Sequence, residues 1–302
     1  MADPTSGSAE PPKPILPDTL EAIGGFIAYL QNKDSSPCTI RPYRKDLLDF
    51  FGRVQVPPAE VKKAHVFEYL SYLASRNLKG RTIRRIMAPI SSFYKYLMLI
   101  EKVSHNPISG VQMPKVVRNQ MPFVAEADAE AMLALPDATY QDRMDLLILE
   151  LLYSTGARRG DLAYAKLADL NLEGRYLFVI GKGKKAAKLK LNPSAIARLT
   201  KYLSERPQTA CERLLVTPKG RPWHSSGVYD SVKRAATRAG IKTNVTVHAW
   251  RRGIATILMK KGAKLKDISG FLRHSNIATT DAYLLADDES VQAALDEFHP
   301  RA

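Results

Sequence analysis

Two hydrophobic periods run through this chain, and they are unequally shared. Over most of its length, apolar residues recur at three- and four-residue steps, the mark of amphipathic helices. The two-residue period of a strand is confined to one place. Tyr176-Leu177-Phe178-Val179-Ile180 is aromatic and β-branched, and Lys188-Leu189-Lys190-Leu191 alternates behind a Gly/Lys turn, so the pair reads as a hairpin. With the strand signal limited to that hairpin, the sequence specifies a mainly α protein with a small antiparallel β-sheet (α+β).

The 302 residues fit two domains. Residues 1–16 are rich in Pro, Ser and Gly and read as a disordered arm. Residues 17–112 carry four helical patterns. Leu20, Ile23, Ile27 and Leu30 make the first apolar face. Ile40, Tyr43, Leu47, Phe50 and Phe51 make the second, over 39–53, with Pro42 placed in its first turn. Val66, Tyr69, Leu70 and Leu73 mark the third. The fourth, over 81–100, sets Ile83, Ile86, Ile90, Phe93, Leu97 and Ile100 against a polar side bearing Arg81, Arg84, Arg85, Lys95, Ser91, Ser92, Tyr94 and Tyr96. Residues 113–122, with two Pro and two basic groups, Lys115 and Arg118, read as a linker. The second domain, 123–302, opens with helices over 125–135 and 144–153. A break at Gly156 and a restart with Asp161 in the first turn follow. Beyond the hairpin, helices are expected over 194–205 and 226–240, from His248 to a stop at Gly262, and over 265–272. The tail, 286–302, turns acidic with a partial apolar stripe. It reads as a helix docked either on a neighbouring subunit or on its own domain.

Charge narrows the partners. Forty-five Lys and Arg against 30 Asp and Glu give a formal net charge of +15, which favours a polyanion, and nucleic acid is the commonest. The excess is local as well. Between Lys79 and Arg118 stand eight basic residues and one acid, Glu101. Arg81, Arg84, Arg85 and Lys95, among hydroxyl side chains, suit phosphate contacts that hold a duplex without reading its sequence. The lysine-rich hairpin tip, Lys182 with Lys184 and Lys185, is shaped to enter a groove; it lacks the spacing of a phosphate-binding Walker loop, and a strand follows it. The two cysteines, Cys38 and Cys211, have no partners at metal-ligand spacing, so no metal and no cofactor is expected. No apolar run reaches membrane-spanning length and the N-terminus lacks a signal-type core, so a cytoplasmic, nucleoid-associated location and no membrane partner are expected.

The chemistry-bearing residues cluster late. His248-Ala249-Trp250-Arg251-Arg252, then Leu272-Arg273-His274, then Tyr283 supply what metal-free chemistry on a phosphodiester requires. Arg grips phosphate oxygens, His moves protons near neutral pH, and Tyr can attack phosphorus. His248, Arg251 and Arg252 lie at i, i+3 and i+4 and share a helix face, so spacing alone leaves Arg251 and Arg252 equivalent. Arg158 and Arg159, at the Gly156 break, are equivalent in the same way.

Four motifs in order resemble the tyrosine recombinases, the phage integrase and Xer group. They are Thr155-Gly156-Ala157-Arg158, the Gly181-Lys182-Gly183 turn, His248-Ala249-Trp250-Arg251, and Leu272-Arg273-His274 with Tyr283 nine residues on. The N-terminal Thr39-Ile40-Arg41-Pro42-Tyr43 stretch is similar to the family's core-binding domain. The resemblance implies a SAM-like helical DNA-binding domain followed by a catalytic domain. It implies an Xer-like site-specific recombinase that cleaves and rejoins DNA through a 3′-phosphotyrosine and a Holliday junction. It also implies roles by motif register: Arg158 and Arg251 on the scissile phosphate, Lys182 as acid for the 5′-oxygen, His248 in proton transfer with the nucleophile, His274 as a phosphate donor, Tyr283 as nucleophile, and Asp161 as a supporting acid. The implied partner is a double-stranded recombination site bound by a homo-tetramer on two duplexes, with or without a second recombinase or accessory protein. The alternatives are a type IB topoisomerase-like nicking-closing enzyme and a non-catalytic DNA-binding protein. Two departures stand out: Arg273 replaces the family's usual Gly before the third-motif histidine, and Arg252 stands where His is common.

Overall fold

The computed structural model describes residues 13–116, 122–181 and 186–273, and these fall into two compact units divided between Arg118 and Asn119.

Among the described residues the first unit has four α-helices, α1 (Pro17–Asn32), α2 (Pro37–Val54), α3 (Lys63–Ser75) and α4 (Gly80–Leu99), and one 3-10 turn, Pro58–Glu60. Their shared core is aromatic at its centre. Phe26 meets Phe93 edge-on at 5.6 Å between ring centres, and Phe50 meets Tyr69 edge-on at 5.0 Å. The buried stripe of α1 is Thr19, Ile23 and Phe26, so Leu20, expected on the apolar face, is 46% exposed. Both stripes contain Ile23; the structure takes the one that buries the larger Phe26 ring. In α2, Pro37 occupies the first turn, since its locked φ suits a helix start. Pro42 therefore lies beyond that turn, contrary to expectation, and cannot donate to the Cys38 carbonyl.

Helix α4 corrects the sequence reading at both faces. Tyr94, placed there on the polar side, is buried and its hydroxyl donates to Pro58 O at 3.0 Å. Ile100, placed on the apolar side, lies past the helix end and is exposed. Arg81, Arg84, Arg85 and Lys95 all stand exposed, as the polar face requires.

The second unit is built around α6 (Tyr140–Thr155), buried without interruption from Met144 to Leu152. Helices α5 (Glu126–Leu133), α8 (Pro193–Glu205), α9 (Ser225–Arg238) and α10 (Val247–Lys260) pack around it. A helix enclosed in this way has no solvent face, which explains its nearly continuous apolar sequence. Its buried Asp145 is held by a two-pronged pair with Arg234, at 2.7 and 2.9 Å. The sheet has order β1-β2-β3 and is antiparallel throughout, with β1 (Leu170–Asn171), β2 (Tyr176–Ile180) and β3 (Ala186–Lys190). Leu177 opposite Leu189 faces the core. The third strand, β1, has two residues, too short to show a period. The return strand starts at Ala186, two residues earlier than its alternation suggests.

Among the described residues no helix is long and apolar enough to cross a membrane.

Candidate active site

The site begins where α6 stops. Gly156 takes a left-handed φ of +56° and its N–H closes on Leu152 O, while the Thr155 hydroxyl accepts from Ala157 N–H across the break. A Cβ on Gly156 would lie 2.8 Å from the Phe271 ring and 2.9 Å from Leu272 Cδ2. The glycine thus serves two purposes: it permits the turn, and it lets the end of α11 (Leu265–Leu272) approach the end of α6. Gly156→Ala is expected to destabilise the protein by about 1–2 kcal/mol from backbone strain, with more from the contact with α11. Thermal denaturation measures this, and an unchanged Tm would mean that the α6–α11 junction is loosely packed.

The chain restarts as α7 (Arg159–Tyr164), with Arg158 at the N-cap. Asp161 Oδ2 accepts the Arg158 backbone N–H at 2.9 Å, so the carboxylate caps the turn that carries Arg158. Asp161 is 5% exposed, and its second partner is Arg273, whose Nη2 donates to the same oxygen at 2.6 Å. Arg158 Nη2 in turn donates to the Arg273 carbonyl at 3.3 Å.

Helix α10 delivers the next residues. Thr246 caps it, accepting from Ala249 N–H at 3.0 Å. Arg251 is buried, and its guanidinium donates to two backbone carbonyls, Gly156 O and Leu272 O. Those are the carboxyl-terminal ends of α6 and α11, where helix dipoles place partial negative charge. Arg252 points elsewhere, bonding Pro122 O through Nε at 2.8 Å. Helix spacing left these neighbours equivalent; the structure brings Arg251 to the junction that also receives Arg158. Arg158 is half-buried there, whereas Arg159 is exposed.

His248 lies one turn before Arg251. Loss of water around the ring lowers its pKa from the usual value, and the positive charges of Arg252, Arg251, Arg159 and Arg158 lower it further, although part of the residue still faces solvent. The neutral ring is the favoured form. With a pKa lowered in the folded protein, the unfolded chain binds the proton more readily. His248 therefore costs stability as pH falls from about 6.5 through the lowered value. Its ring resonances should titrate below 6.5 in the free protein and shift upward when DNA brings phosphate to the neighbouring arginines. A His248 midpoint above 6.5 without DNA would contradict the placement of those four charges.

The first unit presents its own cations. Arg84 donates to Pro114 O at 2.8 Å, anchoring the start of the segment that leaves the unit, and Arg85 pairs with the buried Asp46 at 2.8 and 3.4 Å. Burial raises the Asp46 carboxyl pKa, and Arg85 partly offsets that. Arg81 and Lys95 stand exposed on the same helix. Lys182, Lys184, Lys185, His274 and Tyr283 lie outside the described residues. No group of three or more His, Cys, Asp or Glu able to hold a metal occurs among the described residues. The sequence marks Arg273 as a departure from the family pattern but does not show its partner. Its link to Asp161 spans 112 positions and has no local signature.

The fold and this site define a class. Residues 122–290 match the phage integrase family, and residues 23–100 match the phage integrase N-terminal SAM-like domain. The chain belongs to the phage integrase family. It is 29% identical over 295 residues to tyrosine recombinase XerD of Listeria monocytogenes serotype 4b, covering 93% of this chain and 99% of the relative. It is 30% identical to tyrosine recombinase XerD of Staphylococcus aureus strain Mu50, with the same shares covered. In fold it is similar to the XerH site-specific recombinase bound to a palindromic difH substrate in a post-cleavage complex. The TM-score is 0.76 at 18% identity, covering 96% of this chain and 98% of that one.

Proposed function

We propose that the chain binds a double-stranded recombination site and exchanges strands there as a site-specific recombinase, through a covalent 3′-phosphotyrosine. Its enzyme class is that of its relatives, a tyrosine-type DNA strand transferase. The observation that carries the mechanism is the junction of α6, α7, α10 and α11, where Arg158 and Arg251 are held beside His248. In this reading Tyr283 Oη attacks the scissile phosphorus and gives its proton to neutral His248. The phosphorus–O5′ bond breaks, and Lys182 protonates the leaving 5′-oxygen. Arg158 and Arg251, with a hydrogen bond from His274, offset charge on the non-bridging oxygens, a role metals fill in other phosphoryl-transfer enzymes. The freed 5′-hydroxyl of a partner strand then attacks the phosphotyrosine and restores the diester, so no external energy source enters. Arg81, Arg84, Arg85 and Lys95 in the first unit, with Lys184 and Lys185 between β2 and β3 in sequence, neutralise backbone phosphates, and Asp161 supports the arginines. Arg84 and Arg85 would have to exchange or share their present partners to do so.

A homo-tetramer on two duplexes, acting in the cytoplasm at the nucleoid, suits a reaction that joins two sites. The topoisomerase reading is not favoured, because the relatives and DNA-bound neighbours are recombinases. A nicked substrate that traps the cleaved state tests the proposal. A covalent protein–DNA adduct is expected; its absence with DNA that the protein binds overturns the reading. Lys182→Ala should slow cleavage of the ordinary substrate and recover rate when the 5′-oxygen is replaced by sulfur, which leaves without protonation. Lack of recovery would remove Lys182 as the acid.

A further inference from the structure

Arg273 is the residue in the junction to which neither composition nor motif register assigns a task. It is the C-cap of α11, with φ +53° and ψ 47°, in the left-handed region. A side chain there is strained, and a glycine would not be. Strain of this kind persists where the surroundings fix it. The surroundings here are specific: Arg273 Nη2 donates at 2.6 Å to Asp161 Oδ2, a carboxylate almost wholly withdrawn from water. The left-handed turn also aims the Arg273 carbonyl at Arg158 Nη2, at 3.3 Å. The third side closes the figure, because Arg158 N–H donates to that same Asp161 oxygen at 2.9 Å. Arg158, Arg273 and Asp161 form a closed ring of three hydrogen bonds that ties the start of α7 to the end of α11. Arg251, donating to Leu272 O and Gly156 O, braces the end of α11 against the end of α6 from α10.

We propose that Arg273 is a positioning residue for strand cleavage: its pair with Asp161 fixes the α11 cap, and the carbonyl of that cap fixes the Arg158 guanidinium. The inference rests on the reading of Arg158 as a phosphate-gripping group. Asp161 takes its ion pair from Arg273 and only the backbone N–H from Arg158, while the Arg158 guanidinium donates to a neutral carbonyl, so that contact leaves its charge uncancelled.

The test uses the full chain and the nicked trapping substrate, with single-turnover cleavage rate, DNA affinity and Tm measured for wild type, Arg273→Gly, Arg273→Lys, Asp161→Asn and the Asp161→Asn/Arg273→Gly double variant. Arg273→Gly relieves the strained φ but leaves the buried Asp161 carboxylate without its ion-pair partner, so its Tm should fall, while cleavage at temperatures well below that Tm slows by roughly 10- to 100-fold, the scale of a mispositioned reacting group. DNA affinity should stay near wild type, because Arg273 is assigned no phosphate contact of its own and affinity rests on many backbone-phosphate contacts elsewhere. Arg273→Lys should recover part of the rate, keeping charge without the fork. The double variant should cleave no slower than the slower single variant, as expected for residues acting through one contact. Arg273→Gly cleaving at the wild-type rate well below its Tm, or losing rate only in step with affinity, overturns the inference alone. A wild-type chain that binds DNA and forms no adduct overturns the recombinase reading and this inference with it.

Discussion

Tyr283→Phe is expected to abolish the covalent adduct on a nicked substrate while leaving DNA affinity unchanged. The change removes one oxygen and keeps the ring. If that oxygen is the nucleophile, no other group in the chain can substitute for it in forming the phosphotyrosyl bond. The arginines, the basic face of α4 and the hairpin lysines are untouched, so binding, a matter of phosphate neutralisation, is retained. Gel shift and denaturing electrophoresis of the same reaction read the two properties separately. An adduct formed by the Phe variant would move the nucleophile to another of the thirteen tyrosines.

Arg251→Lys is expected to lower the cleavage rate by about 10²–10³, the usual cost of losing one positioned hydrogen-bond donor where negative charge develops. Lys retains the charge but not the planar fork, and the fork is what spans Gly156 O and Leu272 O. Arg251→Ala goes further. It strands two buried carbonyls at the ends of α6 and α11, at about 1–3 kcal/mol for each unsatisfied group. That variant should therefore lose stability as well as rate. Cleavage kinetics beside thermal denaturation separate the effects: a slow but stable Lys variant places the function in the geometry of the guanidinium. A Lys variant at wild-type rate would leave Arg251 a structural brace between helices.

Much of this arrangement was written in local patterns. The α6 run, the Gly156 stop and the Asp161 restart are adjacent in sequence, and helix-capping physics acts over a turn. The hairpin showed itself by alternation, and α11 by its apolar period with Gly262 ahead of it. Errors fell where a choice between faces depends on a partner. Leu20 and Phe26 both extend plausible stripes on α1, and the Phe93 ring decides between them. Tyr94 looked polar beside its serines, yet a single acceptor, Pro58 O, lets its hydroxyl be buried. Arg85 stands on the exposed face as its spacing predicts, and what its local sequence does not show is its partner Asp46, thirty-nine positions away.

The class of fold, the order of helices and hairpin, and the family are legible along the chain, because periodicity and motif spacing are local or ordered in sequence. Which arginine of each pair turns inward is set by packing. Arg251 and Arg252 differ by one helix step, about 100° of rotation, and it is the packed ends of α6 and α11 that receive one and Pro122 that receives the other. The same holds for Arg273. Its side chain matters through a carboxylate 112 residues earlier, and a contact of that length exists only once the two helix ends have been brought together.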